Sequence, residues 1–226
     1  MQKNNTEKIT ILIVDDHPLL RQALRDVLDQ EADFSVVAEA RDGEEAVQLA
    51  LKLKPQVVIM DISMPKLTGL EATKQIKLSC PEIVILALTV HTEDEHILDI
   101  LQAGAAGYLI KSVYGVEIIQ AIRAAAAGDM VFSPFIGKYL LKHAAKYPTR
   151  PIMLEAGEKL TTKEQEILKL TAQGKSNKDI ADILKLNLRT VKGHLTEIFS
   201  KLRVGSRTEA VIIGLRAGFI TIDDIE

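Results

Sequence analysis

Three aspartates, a threonine and a lysine in this sequence are of the types that carry out phosphoryl chemistry. An aspartate can attack phosphorus as a nucleophile and become an acyl phosphate. The transferring phosphoryl group needs positive charge and hydrogen-bond donors around its equatorial oxygens, which a lysine and a threonine supply. Each of these residues follows or ends a short apolar run: Asp15 and Asp16 after ITILIV, Asp61 after VVIM, Thr89 after IVILAL, and Lys111 after YLI.

The three carboxylates also predict a bound cation. Carboxylates that lie close together repel one another unless a cation lies among them. Hard oxygen ligands with open positions suit Mg²⁺, which binds through a few carboxylates and keeps several waters. Taken singly, an aspartate at a strand end is more often a turn residue or a helix cap. That explanation is much weaker for the whole set, because its members follow different predicted strands.

The elements that must bring these residues together are short strands alternating with amphipathic helices. Strands that are apolar throughout, separated by helices, predict a parallel sheet covered on both faces, here a doubly wound α/β fold with five strands. In such a sheet the reactive site lies outside the carboxyl ends of the strands, where all five residues are placed. The predicted strands are 9–14, 34–39, 57–60, 83–88 and 108–110, and the predicted helices are 18–30, 44–54, 70–79, 93–103 and 113–127.

The second half of the chain contains helix-breaking residues followed by helix-start signals, which is typical of a small helical domain. Pro148, Pro151 and Gly157 interrupt any regular element and predict a linker over 134–157. The capping-box spacings Thr161/Glu164, Ser176/Asp179 and Ser206/Glu209, with a looser signal at Asn187/Thr190, then mark four helix starts. The expected helices are 162–173, 177–184, 188–202 and 207–217. The second and third of these are joined by three residues, which is typical of a helix-turn-helix. We therefore divide the chain into domains at 1–133 and 158–226.

The helix predicted at 188–202 has an apolar face and a basic face. Its outer surface presents a pattern that suits insertion into the major groove of DNA. An ordinary four-helix bundle with a solvated basic face is equally compatible with the helix pattern alone. The residues expected in the core are Leu188, Val191, Leu195, Ile198, Phe199 and Leu202. Those expected to face DNA are Arg189, Lys192, Gly193 and Thr196, with Lys178, Lys185, Lys201, Arg203 and Arg207 near flanking phosphates.

Composition limits the class of protein. The net charge is only −3, but residues 169–207 carry nine Lys and Arg against three acidic residues, which predicts a basic face on the second domain. The single cysteine, Cys80, excludes an intrachain disulfide. No apolar run approaches the roughly 20 residues needed to cross a bilayer, and the first residues do not resemble a signal peptide. We expect a cytoplasmic protein without membrane contact.

The stretches IVDDHPLLRQAL, VVIMDISMPKLTGLEA, ILALTV and AGAAGYLIKS, in this order, resemble the receiver domain of bacterial two-component response regulators. The resemblance implies that Asp61 accepts a phosphoryl group from a sensor histidine kinase. It also implies that Asp16, Asp61 and the backbone carbonyl of Ser63 ligate Mg²⁺, with Asp15 acting partly through water. Thr89 and Lys111 would bind the phosphoryl group. Tyr108 matches the aromatic that turns inward in this family when the threonine moves.

The stretch from Leu160 to Val211 resembles the LuxR-type DNA-binding domain, so the whole chain is similar to NarL/FixJ-type response regulators. The resemblance implies that Thr190 and Lys192 hold DNA, and that Gly193 and Thr196 occupy positions that vary with operator sequence. It further implies a homodimer, paired when phosphorylated, on double-stranded DNA. The last helix would supply the dimer contact, through Ala210, Val211, Gly214 and Leu215.

Together these features predict a phosphorylation-activated transcription regulator that is not an enzyme. Two alternatives stay open from the sequence. One is a phosphohydrolase acting through Asp61, although such enzymes commonly place a general acid two residues later, where this chain has Ser63. The other is a DNA binder whose first domain only contacts other proteins, against which the full set of acidic residues with Thr89 and Lys111 argues.

Overall fold

The computed structural model describes residues 8–89, 97–111, 115–129, 131–132, 160–221 and 224. The predicted linker, 134–157, lies outside these residues, as do the predicted starts of the fourth and fifth helices. The described chain forms an α/β domain up to residue 132 and a helical domain from residue 160.

The α/β domain is built on one parallel sheet. Its strands are β1 (Ile9–Val14), β2 (Phe34–Ala40), β3 (Val57–Asp61), β4 (Val84–Thr89), β5 (Gly107–Ile110) and β6 (Val131–Phe132), in the order β2-β1-β3-β4-β5-β6. All pairs are parallel, which confirms the predicted doubly wound sheet. The sheet has a sixth strand beyond the five predicted, because two residues are too few to give a periodic pattern.

Five helices cover the two faces of this sheet: α1 (Pro18–Leu28), α2 (Gly43–Leu53), α3 (Gly69–Ser79), α4 (Ile97–Gln102) and α5 (Val116–Ala127). Successive residues of a strand point to opposite faces. Accordingly Ile11 and Ile59 pack toward α1 and α5 in one core, while Leu12 and Val58 pack toward α2 and α3 in the other. Both central strands are therefore buried on both sides, as their unbroken apolar runs predict.

The helical domain contains the four predicted helices: α6 (Thr162–Ala172), α7 (Asn177–Leu184), α8 (Leu188–Leu202) and α9 (Arg207–Arg216). The capping boxes at Thr161 and Ser176 form as predicted. The third predicted capping box, at Ser206, forms only in part. The Ser206 side chain accepts from the Glu209 amide, but the Glu209 carboxylate accepts from the amide of Gly205 instead of Ser206.

The core of the helical domain contains most of the residues predicted for it. Val191, Leu195, Ile198 and Leu202 are buried and Phe199 packs partly against them. The prediction for Leu188 was wrong, because its side chain is 46% exposed. Leu188 is the first residue of α8, where no preceding helical turn covers it.

The two domains contact each other through α9. Ile212 is buried in a cluster whose other buried members all belong to the α/β domain, among them Ile97, Leu101 and Tyr108. Thr208, one turn earlier, donates its hydroxyl hydrogen bond to the Ala106 carbonyl at 3.1 Å. None of the described helices is long and apolar enough to cross a lipid bilayer.

Candidate functional site

The carboxyl ends of β1 and β3 bring two of the predicted carboxylates together. Val14 pairs with Met60, so the residues that follow, Asp15 and Asp61, lie side by side at the sheet edge. Both side chains are almost completely buried, with exposures of 0% and 1%. Water therefore solvates neither carboxylate well, and their charges must be balanced by protein groups or by an ion.

Lys111 provides that balance from the end of β5. Its Nζ lies 2.7 Å from Oδ2 of Asp15 and 2.8 Å from Oδ2 of Asp61. The structure thus places the ammonium group between the two carboxylates, as the sequence predicted. Its backbone amide also donates to the carbonyl of Thr89, so Thr89 adjoins the same site and is buried there.

The ionisation of the pair follows from this environment. Burial raises the pKa of Asp61 above the usual range of an aspartate; the contact with Lys111 opposes this rise, and the charge of Asp15 adds to it. Burial alone would lower the pKa of Lys111, but its contacts with Asp15 and Asp61 raise it overall. Lys111 is therefore a fixed positive charge at neutral pH, next to the group expected to react.

The donor set fits a hard divalent cation. One ligand atom each from Asp15, Asp16, His17 and Asp61 lies within 4.8 Å of the others. Asp15 Oδ2, Asp16 Oδ1 and Asp61 Oδ2 are buried and accept no well-directed hydrogen bond within the described part of the chain. Their near neighbours are the Lys111 ammonium and the His17 imidazole, and three carboxylates this close together are an arrangement that a divalent cation stabilises further.

His17 follows the acidic pair directly and borders this site. It immediately precedes α1. Its Nδ1 is 2.7 Å from Asp16 Oδ1 and 3.3 Å from Asp15 Oδ1. The imidazole is largely exposed, so it borders the acidic cluster without closing it.

Two basic residues that the sequence did not single out position the surrounding loops. The Nη1 of Arg21 donates to the backbone carbonyl of Asp15 at 2.7 Å. Lys66, in a left-handed conformation with φ 65°, pairs with Asp42 at the start of α2 and so ties down the loop that carries Ser63. The amide of Ser63 donates to Asp61 Oδ1 at 3.3 Å. The sequence does not indicate either contact. The left-handed backbone of Lys66, which residues with a Cβ rarely adopt, is seen only in the structure.

Tyr108 is fully buried. It lies on β5 three residues before Lys111, and it packs in the cluster that receives Ile212 from α9. The residue predicted to switch is therefore placed between the acidic site and the helical domain.

The predicted DNA-facing side of α8 is open to solvent. Arg189, Lys192, Gly193 and Thr196 are exposed, as is Lys178 on α7. Thr190 is half-buried, and its hydroxyl and amide both donate to Asn187, at 2.9 and 2.7 Å. No described residue of the α/β domain covers this face.

Two of the predicted phosphate contacts are engaged within the protein. Lys201 forms an ion pair with Glu164 at 2.7 Å. Arg207 requires a correction, since it is only 5% exposed and bonds to Asn177 and to the Lys175 carbonyl. In this arrangement of the domains Arg207 does not reach a flanking phosphate.

Three of the four predicted dimer residues of α9 also need correction. Ala210 and Val211 are buried in the core of the helical domain itself, and a Cβ on Gly214 would lie 2.9 Å from the Leu168 side chain. These three face inward because α9 packs against α6 and α8, so they are not available to a second copy. Leu215 is only partly buried.

Comparison with known proteins assigns a different family to each of the two domains. Residues 11–123 match the family described as response regulator receiver domain, and residues 158–213 match the family described as bacterial regulatory proteins, luxR family. The transcriptional regulatory protein DegU of Brevibacillus brevis is 34% identical over 230 residues, covering 96% of this chain and 98% of that protein. The transcriptional regulatory protein LiaR of Bacillus subtilis (strain 168) is 41% identical over 213 residues, covering 92% and 97%.

Two solved structures are similar over most of this chain as well. The response regulator ChrA of a heme-sensing two-component system matches with a TM-score of 0.51 and 33% identity, over 94% of this chain and 99% of that one. A structure of two RcsB dimers bound to two parallel DNAs matches with a TM-score of 0.55 and 25% identity, over 91% and 96%.

Proposed function

We propose that this chain, which belongs to the two-component response regulators that join a receiver domain to a LuxR-type DNA-binding domain, is activated by a phosphoryl group on Asp61. Its relatives are transcriptional regulators and not enzymes. The observation that carries the proposal is the buried contact of Lys111 with Asp15 and Asp61, at 2.7 and 2.8 Å. The proposed receiver spans 1–133, the linker 134–157 and the DNA-binding domain 158–226.

In the transfer step, an Asp61 carboxylate oxygen attacks the phosphorus of a phosphohistidine on the sensor kinase. The new O–P bond makes an acyl phosphate, while the P–N bond breaks and its electron pair leaves with the imidazole. Lys111 and the Thr89 hydroxyl bind the phosphoryl oxygens. Asp15, Asp16, Asp61 and the Ser63 carbonyl would hold Mg²⁺, which when bound neutralises charge on the phosphoryl group.

Phosphorylation changes the partner of Lys111, since one of its two carboxylates becomes an acyl phosphate. The ammonium then follows the phosphoryl oxygens, and Thr89 moves with it. Tyr108 lies on β5, three residues before Lys111, and is buried in the same cluster as Ile212 of α9. We infer that this shared packing couples the phosphorylation site to the docking of the DNA-binding domain.

Arg189, Thr190, Lys192, Gly193 and Thr196 on α8 would enter the major groove of double-stranded DNA, with Lys178 and Lys201 beside the backbone. The exposure of the face of α8 supports this. Homodimerisation through α9 would use the side carrying Ile212, which now faces the receiver. A cytoplasmic location fits a protein that receives phosphoryl groups from a kinase and acts on DNA.

The test is to incubate the chain with acetyl phosphate and Mg²⁺ and to locate the modification by mass spectrometry. We expect one base-labile phosphoryl group on Asp61 and tighter duplex binding afterwards. Asp61→Asn should lose both, because an amide is a poor nucleophile. Asp26→Asn is the matched control, since Asp26 is an exposed receiver aspartate whose side chain bonds to Gln22. Modification of Asp61→Asn at the parent rate would refute the proposal.

A further inference from the structure

The start of α7 is bound by the receiver. The Asn177 amide, at the first residue of that helix, donates to Asp129 Oδ1 at 3.0 Å. Its side-chain Nδ2 donates to the Ala127 carbonyl at 3.3 Å. Asn177 is only 5% exposed as a result. Because backbone amides at a helix start have no partner within the helix, the Asp129 carboxylate satisfies one of them from the other domain.

Arg207 lies beside this contact. Its Nη1 donates to Asn177 Oδ1 at 2.6 Å, and its Nη2 donates to the Lys175 carbonyl. Its Nε is buried and has no hydrogen-bond partner among the described residues. Burial lowers the pKa of Arg207 to about 10, and the nearby charge of Asp129 opposes that fall. A guanidinium with a donor to spare is therefore held next to a helix amino end.

The amino end of α7 and the Arg207 guanidinium are both groups of the kind that bind phosphate. A helix amino end combines free amides with a partial positive charge, and arginine is the strongest side-chain partner of a phosphate. In helix-turn-helix proteins the first helix of the pair, here α7, crosses the DNA backbone, and helix amino ends contact phosphates. Two carboxylates lie at this helix start: Asp179 accepts from the Ser176 amide and hydroxyl within the capping box of α7, and Asp129 of the receiver accepts from the Asn177 amide.

We propose that the amino end of α7 and Arg207 form a binding site for a DNA backbone phosphate, which Asp129 of the receiver occupies while the domains are docked. This inference rests on the proposed function and adds its means of control. The base-reading face of α8 stays exposed throughout. What docking removes is a phosphate anchor, so DNA and receiver compete for the same amide and guanidinium.

The experiment uses the unphosphorylated full-length chain and a short mixed-sequence DNA duplex at several salt concentrations. Asp129→Ala should bind the duplex about fivefold more tightly than the parent, the lower end of typical coupling between linked sites. Asp26→Asn, which removes the same charge from an exposed site, should change binding much less. The slope of log affinity against log salt should steepen by about 0.9, the value for one added phosphate contact.

Two further measurements separate a phosphate site from a loosened structure. Amide hydrogen exchange at the start of α7 should speed up in Asp129→Ala without DNA and slow again when the duplex is added. Adding Arg207→Gln to Asp129→Ala should abolish the gain in affinity. If that double variant does not fold, the salt slope and the exchange data decide the matter alone.

Asp129→Ala that matches Asp26→Asn in affinity, salt slope and exchange would overturn the inference. No phosphoryl donor is used, so this result is independent of whether Asp61 is modified. A parent chain and variants that all fail to bind any duplex would instead overturn the DNA-binding part of the proposed function.

Discussion

At the scale of single residues, Gly69 decides how closely α3 approaches the strand end that carries Asp61. A Cβ at this position would lie 2.0 Å from the Asp61 carbonyl oxygen and 2.8 Å from Ile62 Cα. Both are backbone atoms, so the strain has no flexible side chain to relieve it. We expect Gly69→Ala to lower the free energy of unfolding by about 1–3 kcal/mol and to slow phosphorylation of Asp61.

Urea unfolding and the rate of acetyl phosphate labelling check this prediction. Labelling as fast as in the parent would show that the loop adjusts without moving the carboxylate.

Gly193 is the matched opposite case. It lies inside α8 with negative φ, and a Cβ there would meet no atom within 4 Å. Glycine in a helix interior costs about 1 kcal/mol relative to alanine. Gly193→Ala should therefore stabilise the helical domain by about that amount in urea unfolding. A loss of stability would mean that this part of α8 is not helical in solution.

How far individual residues could be predicted depends on what fixes their position. Asp15, Asp61 and Lys111 follow strands, and parallel strands deliver their ends to one edge, so alternating patterns were enough. Arg21 and Arg207 could not be predicted in the same way. Their long side chains donate to backbone carbonyls. Which carbonyl lies within reach depends on tertiary packing, and the spacing of residues in the sequence does not reveal it.

At the scale of elements, Glu164 holds two helices of the DNA-binding domain together. It completes the capping box of α6 and also pairs with Lys201 at the end of α8, at 2.7 Å. Burial would raise the pKa of Glu164, but the contacts with Lys201 and Thr161 lower it overall from the ordinary 4.5. The ionised carboxylate therefore adds stability above pH 4.5, and this contribution is lost as pH falls through the lowered pKa.

Glu164→Gln keeps the shape of the cap but removes the charge. We expect it to destabilise the domain by about 1.5–3 kcal/mol at pH 7, the range for hydrogen bonds to charged groups. The difference from the parent should shrink as the pH falls below 4.5. Thermal unfolding followed by circular dichroism across this range measures both. A difference that stays constant with pH would show that the charge is not responsible.

Helix starts were the elements best predicted, because a capping side chain and its amide partner are three residues apart and need no tertiary contact. The reciprocal bond at Ser206 failed because Glu209 found the Gly205 amide instead. Strand β6 could not be predicted, since its two residues depend on β5 for every backbone hydrogen bond of the sheet.

At the scale of the whole molecule, the contact between the domains combines apolar packing with a few hydrogen bonds. Ile212 of α9 supplies the apolar packing, and Thr208 of α9 and Asn177 of α7 supply hydrogen bonds. Open clefts of about 480 and 260 Å³ flank it, both lined by residues of the two domains. Contacts of this kind resemble transient interfaces, so a change of a few kcal/mol at the phosphorylation site is enough to shift the docking equilibrium. Nothing in the apolar pattern of α9 distinguishes a residue facing the receiver from one facing its own core.

Ile212→Gln should separate the domains without unfolding either one. Its buried apolar neighbours all belong to the receiver, so a polar side chain weakens docking but leaves the helical core intact. Small-angle X-ray scattering should show a larger radius of gyration, with unchanged helical circular dichroism. Ile183→Gln, at a position 50% exposed on α7, should leave the radius unchanged. An unaltered radius in Ile212→Gln would mean that other contacts suffice to hold the domains.

The strand order has a mechanical consequence. β3, which ends in Asp61, is bordered by β1 and β4 along nearly its whole length. β5, which leads to Lys111, has a full neighbour on one side and a two-residue strand on the other. Asp61 therefore ends a strand that is hydrogen-bonded on both sides, whereas Lys111 follows a strand with a full-length neighbour on one side only. Strain produced by the added phosphoryl group will be relieved where the sheet yields most easily, which is also where α9 rests.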